Sequence, residues 1–356
     1  MSLKEKIAAE IKKKGAVTIE RYMSISLSDP TFGYYTSKLS RIGKTGDFIT
    51  SPELSQVFGE LIGLWLAQTW VDRGQLRPFN LVELGPGNGT LMADVLNIAK
   101  HVPNFLEAAS LILIEKSEKL KAQQKTALGR FEITWLTNVE DIPDRPTFVI
   151  ANEFFDALPI RQFVKLDRLW KERCVGLDEK ENLVFCHKPA VPNQELQALY
   201  PNLPNNVYVE TSDSTISIVS SLAKKVAKNQ GVILITDYGC LNGVGDTLQA
   251  VFHHSFSDPL LYPGEADLTA HVNFSNIAAT AEVHGLRSSS LCTQRNFLMS
   301  LGILSRASTL EQKMSIQNRE MHRNAVNKLI DSDKMGEIFK VMALTSKNSP
   351  NLPILD

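Results

Sequence analysis

Between residues 80 and 151 short apolar runs alternate with helical patterns: NLVEL at 80–84, LILIE at 111–115, ITWL at 133–136 and TFVIA at 147–151. Runs of this length, rich in Val, Ile and Leu and separated by amphipathic stretches, predict parallel strands buried on both faces. VILITD at 232–237 supplies a fifth strand, and a last strand-like run covers 338–344. Between the fourth and fifth strands, LWKERCVGLDEKENLVFCHKP reads as an inserted β-hairpin around an Asp-Glu-Lys-Glu-Asn turn, followed by a Pro/Asn-rich loop at 192–206.

The first 50 residues have a different texture. MSLKEKIAAEIKKKG predicts an exposed amphipathic helix and Ile19 to Leu27 a second one, before a long loop, DPTFGYYTSKLSRIGKTGDFITSP. A structureless loop of that length suggests a lid or a binding segment. At its end Ser51, Pro52 and Glu53 form a helix-start signal of hydroxyl cap, proline in the first turn and early carboxylate. Apolar positions at Leu54, Val57, Phe58, Leu61, Ile62 and Trp65 carry one helix onward from there. The expected organisation is an N-terminal helical cap and lid (1–78), the first part of an α/β core (79–166), an inserted hairpin and loop (167–206) and the rest of the core with substrate-side insertions (207–356).

Composition narrows the function classes. With 38 basic and 39 acidic residues among 356, no global charge points to nucleic acid or an anionic membrane. The four cysteines are scattered without a CxxC pair, which favours reduced thiols over a disulfide framework or zinc site. No apolar run reaches the roughly 20 residues of a membrane span. The N-terminus lacks the apolar core of a signal peptide, and a cytosol-like compartment fits best.

The chemistry concentrates at LVELGPGNGTLMADVL, where a strand runs into Gly85, Gly87 and Gly89 and a helix follows. The spacing GxGxG departs from the dinucleotide fingerprint GxGxxG, and no lysine completes a P-loop. Glu83, two places before Gly85, would repel a pyrophosphate but suits a cationic group such as the ammonium or sulfonium of S-adenosylmethionine. Glu115, closing the next strand, stands where a carboxylate can accept both ribose hydroxyls. A glycine turn that serves only close packing, with both glutamates as surface charges, is the alternative.

NEFFD follows the fourth strand, and its Glu153 and Asp156 are three apart, close enough on a turn to serve one site. Two carboxylates match a guanidinium, a planar fork of donors that keeps its charge. Either could then take the released proton, or both could simply be favourable charges at a helix N-terminus. His271 is a second candidate acid or base, and Asn152 a candidate contact to cofactor or substrate. Asp237 and Tyr238, at the end of the fifth strand, face the cleft expected at the strands' carboxyl edge. The pairs Tyr34-Tyr35 and Phe154-Phe155 could cage a cation, with core packing expected for at least one ring of each. The adjacent His253 and His254 would point to opposite faces of a strand, so a metal site is not expected.

With these residues in view, the sequence resembles the MidA-like S-adenosylmethionine-dependent methyltransferases, a family that includes the mitochondrial arginine methyltransferase needed to assemble respiratory complex I. The resemblance is carried by FGYY at 32–35, GDFITSPELSQVFGELI at 46–62, VELGPGNGTLMADVL at 82–96, IEKSEKLKAQQ at 114–124, ANEFFDALPIRQF at 151–163 and WKERCV at 170–175. It continues through DYG at 237–239, GDTLQAV at 245–251, PGEADLTAHVNF at 263–274, TQRNFLMSLGI at 293–303 and MGEIFKVMAL at 335–344. Asn88, Asn273 and the VYVETSD stretch depart from the usual pattern without removing a proposed catalytic group.

The resemblance implies a Rossmann-like class I methyltransferase sheet in which Gly46, Asp47 and Phe48 help cover the cofactor. It also implies symmetric dimethylation of an arginine in a core subunit of NADH:ubiquinone oxidoreductase, in a bacterial cytoplasm or, for a eukaryotic chain, the mitochondrial matrix. The competing readings are a noncatalytic assembly factor, a small-molecule methyltransferase and, weakest, a nicotinamide-dependent oxidoreductase; whether the chain forms a homodimer stays open. If the roles are right, Gly87→Asp abolishes cofactor binding, whereas Glu153→Ala keeps binding and loses transfer.

Overall fold

The computed structural model describes residues 2–37 and 50–355. Its centre is a mixed sheet with the strand order Leu286–Ser288, Phe339–Ser346, Gly231–Cys240, Thr147–Asn152, Phe79–Leu84, Ala109–Ile114, Ile133–Leu136. The five strands from Gly231–Cys240 to Ile133–Leu136 are parallel, and Phe339–Ser346 runs antiparallel along the edge of Gly231–Cys240. From Phe79–Leu84 the chain first builds outward on one side and then crosses back to Thr147–Asn152 on the other. The order therefore reverses beside the glycine turn, the point where open α/β sheets bind ligands.

Each expected strand is present, and for all but the half-buried edge strand Ile133–Leu136 the reason is burial on both faces. Leu81, Leu111, Phe148, Leu234 and Val341 pack on one side against the helices Gln56–Asp72 and Thr90–Ala99. Their neighbours Val82, Ile112, Val149, Ile233 and Met342 pack on the other against Asp213–Asn229 and Phe274–Val283. Every residue of Phe79–Leu84 and Thr147–Asn152 is buried.

Four features differ from the sequence reading. The helix beginning at Ser51 is not continuous: Ser51–Leu54 is a separate turn, Ser55 is extended (φ −156°, ψ 131°), and its hydroxyl accepts from the Val57 N–H to start Gln56–Asp72. The hairpin Leu169–Leu177 with Leu183–His187 is not isolated. It joins Val17–Thr18, Arg161–Leu166 and Tyr208–Thr211 in a second, antiparallel sheet. The Pro/Asn-rich loop holds the short helix Gln194–Leu199, capped by the Asn193 side chain at the Leu196 N–H. His253 and His254 are not in a strand. They form the two-residue turn between Gln249–Phe252 and Ser255–Ser257, both with left-handed φ (49° and 61°), the backbone a tight hairpin turn needs.

The helices Leu3–Lys14 and Ile19–Ser28 also do more than sit on the surface. Ile7, Ile19, Tyr22 and Met23 are buried in one cluster with Val175 and Leu183 of the second sheet and with Leu260, Leu268 and Ala270. Among the described residues no helix is long and apolar enough to cross a membrane, and no cluster of His, Cys, Asp and Glu could hold a metal ion.

Candidate active site

Gly85, Gly87 and Gly89 have φ of 57°, 52° and 84°, in the left-handed region that side chains disfavour. A Cβ on Gly85 would lie 2.8 Å from the Phe154 ring. The turn is thus tight enough for the ring of the neighbouring 153–156 turn to lie against its backbone. Its far side is held by Gln124, fully buried, whose Nε2 donates to the Gly87 carbonyl at 2.9 Å and to Glu115 Oε2 at 3.1 Å. The Trp135 indole N–H donates to the Gln124 Oε1 and fixes which way the amide points.

Glu83 is 3% exposed, and its Oε2 has no hydrogen-bond partner. Burial pushes its pKa up to about 8, against the pull of the Met92 N–H. A cationic group placed against this idle oxygen, beside the glycine turn, would favour the ionised form. Glu115 lies one residue beyond its strand, accepts from the Ser117 N–H at 2.7 Å, and is raised by burial.

On the other side of the switch point, Asn152 ends its strand and Glu153 takes φ 50°, a strained conformation for a residue with a side chain. Glu153 Oε1 accepts from the Ser51 N–H at 2.8 Å and from Asn152 Nδ2 at 3.2 Å, while Asn152 Oδ1 accepts from the Thr236 hydroxyl. Burial raises Glu153 to about 7 and Asp156 to about 6. Asp156 is 6% exposed, and its Oδ1 is unpartnered. No helix starts here, so neither carboxylate is a solvated first-turn charge.

Asp237 is fully buried beneath this turn. Its Oδ2 accepts from three consecutive N–H groups, those of Phe154, Phe155 and Asp156 (3.2, 2.9 and 3.3 Å), and Oδ1 accepts from the Tyr238 N–H. The expected cleft-lining role of Asp237 gives way to a structural one, because its oxygens are engaged with backbone. Asn152 is engaged as well: its Nδ2 donates to Glu153 and its Oδ1 accepts from Thr236, so it orients the Glu153 carboxyl group.

The remaining residues gather around the same turn. Ala270 N–H donates to the Asp156 carbonyl, and the Tyr35 hydroxyl donates to Asp267 Oδ1 at 2.9 Å. The Tyr238 hydroxyl lowers the Asp156 pKa by hydrogen bonding. His271 is exposed and meets the Tyr238 ring edge-on at 5.6 Å, which places it next to the carboxylate pair but outside it. Tyr34 and Phe155 are buried, whereas Tyr35 and Phe154 are half-buried. Gly46, Asp47 and Phe48 lie outside the described residues.

The chain matches the model of a protein family described as "Putative S-adenosyl-L-methionine-dependent methyltransferase" over residues 61–292. It is 34% identical to the protein arginine methyltransferase NDUFAF7, mitochondrial, of Mus musculus, across 94% of this chain and 82% of that protein. The chain belongs to this methyltransferase family. The Homo sapiens protein of the same name is 33% identical over 94% of this chain and 81% of its own length. A COG1565 superfamily member from Burkholderia thailandensis, solved with S-adenosyl-homocysteine bound, superposes with a TM-score of 0.85 at 29% identity, covering 99% of this chain and 94% of that one.

The methyltransferase fold and S-adenosylmethionine dependence follow from these matches, and the residues present fit that cofactor. The idle oxygen of Glu83 suits a cationic group, Gly87 adds no side chain to the middle of the turn, and Glu115 is a hydroxyl acceptor next to it. Ser51 was read only as a helix cap, and Gln124 and Thr236 were not singled out in the sequence. Their partners lie 102, 37 and 84 residues away, beyond any local spacing rule.

Proposed function

We propose that this methyltransferase is a protein arginine N-methyltransferase, acting on an arginine in a core subunit of NADH:ubiquinone oxidoreductase with symmetric dimethylation as the product. The observation that carries the arginine reading is the pair of carboxyl groups, half-buried Glu153 and buried Asp156, on one strained turn beside the glycine turn. The names of the relatives support the same reading, and it is from them that a protein substrate is inferred.

When bound, S-adenosylmethionine supplies an electrophilic methyl group. The chain's own work is to align and desolvate the nucleophile. A guanidinium arriving between Glu153 and Asp156 favours their ionised forms, and a bidentate contact fixes its plane so that one terminal nitrogen points toward the glycine turn. Desolvation raises Glu153 to about 7 in the empty site; the guanidinium lowers it on binding, and Glu153 then takes the proton that this nitrogen loses as the methyl group is transferred. Ser51 and Asn152 hold the Glu153 carboxylate from one side, leaving its Oε2 for that task.

The test is transfer of labelled methyl from S-adenosylmethionine into a lysate of cells lacking the gene, followed by hydrolysis of the labelled protein. Label is expected in methylarginine of a single protein, with Glu153→Gln retaining cofactor affinity and losing on the order of 10²- to 10⁴-fold in rate, the usual worth of a positioned base. Label in a small molecule, or unchanged turnover by Glu153→Gln, overturns the reading.

A further inference from the structure

The four-residue turn Ser51–Leu54 touches both halves of the site at once. Its Ser51 N–H donates to Glu153 Oε1 at 2.8 Å. Two residues on, Glu53 Oε1 accepts from Asn88 Nδ2 at 3.1 Å and from the Thr90 hydroxyl at 2.7 Å. Asn88 is part of the glycine turn, and Thr90 is the first residue of the helix that follows it. Pro52, buried between the two contacts, limits how far one can move without the other.

The segment is also braced from behind. Ser51 Oγ donates to Gln294 Oε1 at 3.4 Å, and the fully buried Gln294 donates its Nε2 to the Leu329 carbonyl at 2.9 Å. The extended Ser55 separates Ser51–Leu54 from the long helix, so its orientation is set by these contacts and not by helical continuity.

A turn of three left-handed glycines has little stiffness of its own, and any freedom it keeps must be given up when a ligand binds. Gln124 restrains the turn at the Gly87 carbonyl. Glu53 restrains it from the opposite end, through the polar side chains at 88 and 90.

We propose that Glu53 is a positioning residue for the cofactor turn, and that the Ser51–Leu54 segment couples that turn to the placement of the Glu153 carboxylate. The first half needs only the glycine turn as the cofactor site; the second rests on the role proposed above for Glu153.

Calorimetric titration with S-adenosylhomocysteine tests the first half, because it is blind to the methyl acceptor. Glu53→Ala is expected to weaken binding about tenfold or more. Glu53→Gln, whose carbonyl oxygen still accepts from both donors, should stay within about threefold. Adding Thr90→Val to Glu53→Ala should cost little beyond the single change, since both remove one interaction. The second half is read by carbon NMR of the Glu153 carboxyl in cofactor-free protein: loosening the Ser51 N–H in Glu53→Ala should move its titration midpoint to higher pH. Binding by Glu53→Ala within twofold of wild type overturns the positioning role. An unmoved Glu153 midpoint overturns the coupling, and neither result depends on whether the acceptor is an arginine.

Discussion

A carboxyl group sealed at the end of a strand is a poor anion until a cation arrives. Glu83 is in that state, with burial holding its pKa at about 8, so at pH 7 the empty site carries it mainly protonated. A cationic ligand group favours the carboxylate and pulls the pKa down, so cofactor binding at pH 7 must expel a proton. Binding should therefore tighten as pH rises from 6 and level off above about 8, with close to one proton released at pH 7. Calorimetry in buffers of different ionisation enthalpy measures that release. Glu83→Gln should abolish it and weaken binding roughly 10- to 100-fold, the worth of one charge-assisted hydrogen bond. An unchanged proton count would remove Glu83 from the cofactor site. The residue was legible because ExGxGxG places it in sequence beside the turn it serves. Gln124, which fixes the same turn and Glu115 together, was not, because its spacing from Gly87 follows from the path of a helix and not from a motif.

Elements show where local rules held and where tertiary contacts overrode them. The parallel strands were readable because burial on both faces leaves an uninterrupted apolar run. The Ser51 start signal held only in part: the proline turn forms, but Thr50 is the cap residue, the Ser51 hydroxyl turns to Gln294 and its N–H to Glu153, and the chain restarts at Ser55. The turn 153–156 is held by a residue 81 positions away from Asp156. Asp237 takes three successive N–H groups on one oxygen, the arrangement of an anion-binding nest filled by a side chain of the protein itself. Asp237→Ala leaves those donors buried and unpaired, and the loss is on the order of 3 kcal/mol or more. Asp237→Asn should cost less, since one oxygen still accepts while the amide faces the Tyr238 N–H. Urea midpoints of the two variants would rank them, and an alanine variant as stable as wild type would show that the turn holds itself.

At the scale of the whole molecule, the pattern of apolar positions gave the central sheet but not the unit beside it. Residues 1–78 read as a helical cap and 167–206 as a separate insertion, because the strands that unite them are short and far apart in the chain. Val17–Thr18 has only two residues and pairs with Leu169–Leu177 more than 150 positions later. The buried faces of Leu3–Lys14 and Ile19–Ser28 then join the second sheet and the 260–270 segment in one cluster. We propose that this cluster makes residues 3–28, the second sheet and the 248–270 segment a single cooperative unit, distinct from the methyltransferase sheet. Met23, fully buried at its centre, is the place to test it. Met23→Ala should cost about 2–5 kcal/mol by cavity formation, and a local opening unit loses that stability as a whole. Amide hydrogen exchange read by mass spectrometry should then show protection falling together in 3–28, 161–187 and 248–270, with Phe79–Leu84 and Thr147–Asn152 unchanged. Loss confined to 3–28 would mean that the cap opens by itself. Loss spread evenly over the central strands would mean that the two sheets unfold as one.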